Sequence, residues 1–325
     1  MIKHFALTLL LSFLLIGCGN ETKTTEKNTP TPTKTPDSPG KPADKATAAD
    51  PTPPAKPFVL ADFEKYLESQ EVNKGCEVLI KSIAELKLRL RDAQKTGDPI
   101  ADEAIDKIDA FSWRVAEGNT GDLPNLPFEH PLHLAVWNPD KKEMPAEEQA
   151  KVDAWKDCGL VLATAEGMLF LEPSPDLLVT HFQGYGSEAL QVYLKQRKKE
   201  MEKGFAADAG IIIPMQDVAE RAVWWSKFVE KFPDFKLIKN AKINAVDYTG
   251  YLMTGLDNTP AHDWGGTEKL YPEFEKAMNW VIENEAETFT GKAIAGYLET
   301  YKAEGKVGKK TRGYSQEWFE SQRPE

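Results

Sequence analysis

The sequence predicts an all-α protein assembled from antiparallel helix pairs, and three observations carry that expectation. From Phe58 onwards, apolar residues recur three or four positions apart, the spacing of one face of an α-helix. Residues that start and stop helices punctuate these runs at plausible intervals. No stretch sustains the period-two alternation of a half-buried strand; Gly210 to Ile213 comes nearest, and Pro214 cuts it short.

The elements follow in order. Leu79, Ile83, Leu86 and Leu90 mark a helix over residues 73–95, with Gly97 placed to end it. Asp98 and Pro99 read as an N-cap and a first-turn proline. Ala101, Ile105, Ile108, Phe111 and Val115 then continue one face as far as Gly118. Pro145 is expected to open a long helix carrying Val152, Trp155, Leu160, Leu162 and Met168. Ser174-Pro175 and Ser187 begin the next two, and Gly204 ends the second of them. The run Lys195 to Glu200 (KQRKKE) is the one basic stretch and reads as a solvated helix face.

In the second half a weak repeat emerges. Trp224 to Asn240 (WWSKFVEKFPDFKLIKN) and Trp280 to Lys292 (WVIENEAETFTGK) each show an aromatic helix, a polar break and a following helix. Those following helices carry small and aromatic residues: Ala241, Ala245, Tyr248 and Tyr251, then Ala293, Tyr297 and Tyr301. Phe228 corresponds to Trp280, and Ala241 to Ala293. The phrase FVEKFPDFKLIKNA resembles the helix-to-helix junction of tetratricopeptide-like repeats in bacterial envelope lipoproteins. The common offset exceeds the ~34 residues of that unit, so the resemblance implies at most an irregular solenoid. A sub-boundary within the folded part is expected near 205–215.

The N-terminus carries its own signature. Lys3 precedes an apolar run from Phe5 to Ile16, and Leu15-Ile16-Gly17-Cys18 follows directly. A charged n-region, an apolar h-region and small residues before the cut make a secretory signal. The run is well short of the ~20 residues that span a bilayer as a helix. Leu-Ile-Gly-Cys resembles the lipobox of bacterial lipoproteins. The resemblance implies that residues 1–17 are a signal peptide removed before Cys18. It also implies a diacylglycerol on the Cys18 thiol and an acyl group on the new N-terminus, with no further cofactor expected. Several acyl chains anchor far more firmly than one, since each buried CH2 contributes ~0.8 kcal/mol. The implied location is a bacterial cell envelope. Gly19, standing where an Asp would favour inner-membrane retention, points to the outer membrane where there are two.

Residues 18–57 read as a tether. Thr, Pro, Lys, Asp and Ala dominate, and almost no large apolar residue is present to offset the entropy of ordering. As a flexible coil this segment spans about 35 Å, and as polyproline II about 120 Å. The folded part, 58–325, is strongly acidic. The whole chain carries −11, and seven lysines against five acidic residues precede Phe58, which leaves −13 beyond it. Nucleic-acid binding is disfavoured, because neutralising phosphates needs clustered Lys and Arg. The same balance disfavours adhesion to anionic lipid and leaves the acyl anchor as the membrane contact.

Candidate chemistry is sparse. Cys76 and Cys158 are either a disulfide, closing a loop worth roughly 4.5 kcal/mol of chain entropy, or two separately buried thiols. Glu129-His130-Pro131-Leu132-His133 offers metal-ligating groups. Pro131 disfavours the helix that would present both histidines together, however, and no metal site is predicted. Asp257, His262 and Asp263, among glycines and Trp264, form a second polar cluster able to act as acid and base; its plainer reading is turn chemistry. His181 reads as a helix-end histidine. No Gly-x-Ser-x-Gly elbow, phosphate loop or dinucleotide fingerprint occurs. Two functions follow as expectations. The first is a lipid-anchored module binding another envelope protein or peptide. The alternative is a hydrolase, possibly metal-dependent, acting on an envelope substrate through His130, His133, His262, Asp257 and Asp263.

Overall fold

The computed structural model describes residues 58–91, 98–137, 144–165 and 167–323. The lipobox, Cys18, the tether and the helix stop at Gly97 lie outside the described residues. Among those described are twelve α-helices and three short antiparallel ribbons, so the protein is all-α in character. No described helix is long and apolar enough to cross a membrane.

The first layer holds α1 (Leu60–Glu68), α2 (Cys76–Arg89) and α3 (Ile100–Thr120). Asp98 Oδ1 accepts from Ile100 N at 2.9 Å and so caps the entry to α3. Ile105, Ile108, Phe111 and Val115 of α3 are buried with Leu79, Ile83 and Leu86 of α2 in one apolar cluster. The helix α3 runs two residues past Gly118 and stops at Gly121, whose φ of 51° no helix can continue. A short helix, α4 (Pro131–Trp137), precedes α5 (Ala146–Asp157).

The expected long helix from Pro145 ends at Asp157. Leu160, Leu162 and Met168 lie instead on an antiparallel hairpin, β1 (Leu160–Ala165) and β2 (Met168–Pro173), with Leu160 opposite Pro173. Gly159 and Gly167, at φ 80° and 76°, supply the left-handed turns that break the helix and close the hairpin. Leu160 and Leu171 are buried in the same apolar cluster as α3, Leu162 packs against it, and Leu171 N donates to Thr120 Oγ1 at 3.1 Å. Cys76, at the start of α2, is bonded to Cys158, just past α5, with Cα atoms 5.2 Å apart.

Two further helices follow, α6 (Leu177–Phe182) and α7 (Glu188–Lys203). Ser187 caps α7, its Oγ accepting from Leu190 N at 3.1 Å. Ser187 N and Oγ both donate to the buried Asp102 carboxylate, at 2.8 and 2.6 Å, which ties α7 to α3.

The second half contains α8 (Met215–Lys231), α9 (Ile238–Thr254), α10 (Pro272–Glu285), α11 (Phe289–Glu304) and α12 (Lys309–Gln322). Helices α8 with α9, and α10 with α11, are the two helix pairs of the sequence repeat. Each pair is preceded by a small ribbon: β3–β4 (Ala206–Ala207 with Gly210–Ile211) before α8, and β5–β6 (Gly255–Leu256 with Thr259–Pro260) before α10. The ribbons touch, Ile211 N donating to Thr259 Oγ1 at 3.0 Å. These inserts explain why the repeat offset exceeds that of a plain helix pair. Where the pairs cross, Thr290 of α11 meets Ser226 of α8 at 2.6 Å and Thr249 of α9 at 2.9 Å. A second apolar cluster surrounds this crossing, and α8 and α9 contribute residues to both clusters.

Candidate functional site

The two histidine loops are structural in their local geometry. His133 is buried, its Nε2 3.2 Å from the Leu126 carbonyl and its ring tilted against Phe128. His130 Nδ1 accepts from Leu132 N at 3.3 Å, a local turn contact, while Glu129 is exposed. The pair therefore serves two different local roles. In the second loop His262 is also buried, packed 4.7 Å from the Trp264 ring, and among the described residues neither of its nitrogens has a hydrogen-bond partner. Burial first, and the Arg312 charge second, hold the pKa of that imidazole below its ordinary value.

Asp263 is occupied by its own loop. Its carboxylate accepts from Thr267 N at 2.7 Å, Thr267 Oγ1 at 3.0 Å and Lys269 N at 2.9 Å. Desolvation is the largest single effect and opposes ionisation, but these bonds together outweigh it and keep the carboxyl below its usual range. Asp257 sits exposed in the two-residue turn of the β5–β6 ribbon. His181 lies in the last turn of α6, its pKa lowered by burial and then by Lys87. Among the described residues no group of three or more His, Cys, Asp and Glu could hold a metal ion.

A different place gathers unusual side chains. Helices α3, α7 and α9 enclose a cleft of about 300 Å³. Helix α3 supplies Asp109 and Trp113, α7 supplies Arg197 and Glu200, and α9 supplies Asp247 and Tyr251. In each helix the contributors are three or four residues apart, so one face of each brings an ionisable side chain into the cleft among aromatic and apolar ones.

The inner end of the cleft is a hydrogen-bonded chain. The buried Glu200 carboxylate accepts from Trp225 Nε1 and Tyr248 Oη, both at 2.9 Å, and from Gln196 Nε2 at 2.5 Å. Arg221 donates to Tyr248 Oη at 3.1 Å and to the Gly204 carbonyl at 2.8 Å, its guanidinium lying over the Tyr248 ring. Burial raises the Glu200 pKa, while the Arg221 charge and the three donors oppose the rise.

Along one side, Arg197 lies over the Tyr193 ring and forms an ion pair with Asp109 at 2.5 Å. Burial works against the Arg197 charge, but Asp109, then Tyr193 and Asp106, more than restore it, so the guanidinium stays charged. The supposed solvated run Lys195–Glu200 is thus split. Lys195 and Lys199 are exposed, whereas Gln196, Arg197 and Glu200 turn towards the protein. Charge density hid this in the sequence, and the three-to-four spacing on a helix decides it.

The opposite wall is aromatic. Phe205 stands 4.9 Å from Tyr251 and 5.2 Å from Tyr248, with the two tyrosines edge-to-face at 6.3 Å. Below them Asp247 accepts no hydrogen bond among the described residues. Burial pushes its pKa up to about 6, with a smaller opposing effect from Arg323.

No family model matches the chain, and neither the curated proteins nor the solved structures contain a match. The cleft is therefore interpreted from its own chemistry. Glu200 has its acceptors filled and Arg197 has its charge matched. Asp247 keeps open acceptors beside an aromatic wall, an arrangement suited to holding a ligand group in place.

Proposed function

We propose that this protein is a lipid-anchored component of a bacterial envelope whose acidic helical domain is an interaction module. In this reading Cys18 carries the acyl anchor, residues 19–57 form the spacer, and the cleft between α3, α7 and α9 receives a group from a partner protein or peptide. The observation that carries it is the cleft itself. About 300 Å³ lies between three helices and is lined by aromatic rings and by a carboxylate with open acceptors. That volume is at the lower end of ligand sites and suits a side chain or small molecule better than a folded element. The hydrolase alternative has less support, because Asp263 is consumed by its loop and the histidines are packed into separate local structures.

Crosslinking and affinity capture of the full chain from native envelopes test this proposal. A stoichiometric envelope partner is expected, and its capture should fall when cleft residues are changed. Cys18→Ser should shift the protein from the membrane to the soluble fraction. Unchanged partitioning would remove the anchor from the proposal, and capture insensitive to cleft substitutions would remove the cleft.

A further inference from the structure

We infer that the loop Ala261–Tyr271 is an acid-opened flap, held shut by the neutral imidazole of His262 beneath Trp264 and released when that ring takes up a proton. None of its residues lines the cleft, and its behaviour is independent of the binding-module reading.

The loop leaves and re-enters the fold at one point. Ala261 N donates to the Thr254 carbonyl at 3.0 Å, Tyr271 N donates to the Ala261 carbonyl at 2.9 Å, and His262 pairs with Leu270. A compact loop with its ends so close can lift as a unit. Asp263 closes the loop on itself through Thr267 and Lys269. Glu268 fastens it to the segment between α11 and α12, pairing with Lys306 at 2.5 Å and Arg312 at 3.2 Å, while its carbonyl accepts from Val307 N at 2.7 Å. Its φ of 54° is one that residues other than glycine seldom adopt, and both ion pairs are open to solvent, so this fastening is a weak one. The remaining fastening is His262. It is 4 % exposed, and neither nitrogen has a partner among the described residues. The cover over it is thin, because the Trp264 ring packed on it is itself 69 % exposed. On either side of the loop base Ala261 and Leu270 belong to the second apolar cluster. A neutral imidazole is tolerated in such a seat at far lower cost than an imidazolium, which carries a charge and two donors and has water within reach once Trp264 moves.

The charges around His262 set the direction of the switch. Arg312 of α12 opposes a second cation there, while Asp263 and Glu268 of the loop itself favour one. Burial first and Arg312 second outweigh the two carboxylates and hold the pKa of the ring below 6.5. The neighbours do not titrate in the same range. Asp263, against its desolvation, is kept below its usual range by its bonds to Thr267 and Lys269, and Glu268 is kept below its own by Lys306 and Arg312. Tyr297 of α11, which Arg312 also reaches, has a phenol whose pKa burial raises. A folded-state pKa below the unfolded one gives the closed loop a stability that is complete above pH 6.5 and is lost as the pH falls. Once released, the imidazole regains its ordinary affinity for protons. Each unit of pH below 6.5 therefore favours opening by up to about tenfold, until the pKa of the closed form is passed.

Hydrogen exchange of the full chain at pH 7 and pH 5, corrected for the pH dependence of intrinsic exchange, tests the inference. Amides of residues 261–271 should lose about tenfold of their protection at the lower pH, while those of α8 and α9 keep theirs. His262→Phe and His262→Leu remove the titrating group and leave an apolar side chain in its seat, so in both the loop should stay protected at pH 5. An NMR titration of the His262 ring in the unaltered protein should give a pKa below 6.5, and Trp264→Ala, which strips the cover, should raise it towards that value. Three results would each overturn the inference: wild-type protection unchanged at pH 5, a ring that titrates at or above 6.5, or one that titrates no higher once Trp264 is removed. An equal loss of protection in a His262 variant that folds would also overturn it, and would assign the opening to the carboxylates of Asp263 and Glu268. The ring titration in the unaltered protein decides the matter even where neither His262 variant folds.

Discussion

Replacing Glu172 with Gln should stabilise the protein, and by an amount that grows with pH. Glu172 lies on β2, is only 4 % exposed, and its Oε2 has no hydrogen-bond partner among the described residues. Burial alone pushes its carboxyl from an ordinary 4.5 up to about 8. A folded-state pKa above the unfolded one means that the contribution to stability is complete below pH 4.5 and is lost as the pH rises through 8. At pH 7 the unfolded chain has released this proton and the folded one retains it. The gap of two and a half units corresponds to about 3 kcal/mol of lost stability. The same linkage gives about 1 kcal/mol at pH 5 and about 5 kcal/mol at pH 9. Glutamine resembles the protonated acid in shape and does not titrate, so Glu172→Gln removes this pH-dependent cost. Urea unfolding of both proteins between pH 5 and 9 is the assay. The difference in stability should widen across that range, even if the amide's own burial offsets part of the absolute gain. Parallel curves would show that Glu172 ionises freely in the folded state and would refute the account of its burial.

Other consequences can be checked on the same material. Cys158→Ser with Cys76→Ser should cost about 2–5 kcal/mol in unfolding experiments, because the bridge no longer constrains an 82-residue separation in the unfolded chain. Asp102→Ala strands the Ser187 amide and hydroxyl in a buried site and should lower stability by about 1–3 kcal/mol, read as a reduced denaturation midpoint.

Periodicity revealed most of the helices because burial imposes it. Leu79, Ile83 and Leu86 occupy one stripe of α2, and Ile105, Ile108, Phe111 and Val115 one stripe of α3. The hairpin escaped because its alternation is brief: Leu160 with Leu162 and Leu169 with Leu171 keep the strand period of two for a single repeat each. Gly159 and Gly167, through their positive φ, mark where the helix breaks and the hairpin turns. The cleft escaped for a different reason. Arg197 and Glu200 stand in a run of lysines, and neighbouring charge suggests solvent unless the helix phase is followed against Tyr193 and Leu194, which are buried. Asp247 gives no motif at all, since its environment comes from α3 and α7, far away in sequence. The histidines drew attention by residue type, yet the side chains that define the cleft are joined only by tertiary packing.

The polar chain Glu200–Tyr248–Arg221 is costly where it stands, and that cost bears on its role. A buried charged pair frequently gives no more stability than well-packed apolar residues of the same volume, because desolvation consumes most of the attraction. Helices α8 and α9 take part in both apolar clusters, so leucine or phenylalanine could fill the space between them. Instead, Glu200 is held by three donors, and Tyr248, which donates to it, also forms part of the aromatic wall. This fixes the Tyr248 ring, and through its packing with Phe205 and Tyr251 it fixes the surface beside Asp247. Rigid walls lower the entropic cost of holding a small ligand. The network is thus better explained as the support of a binding surface than as a source of stability.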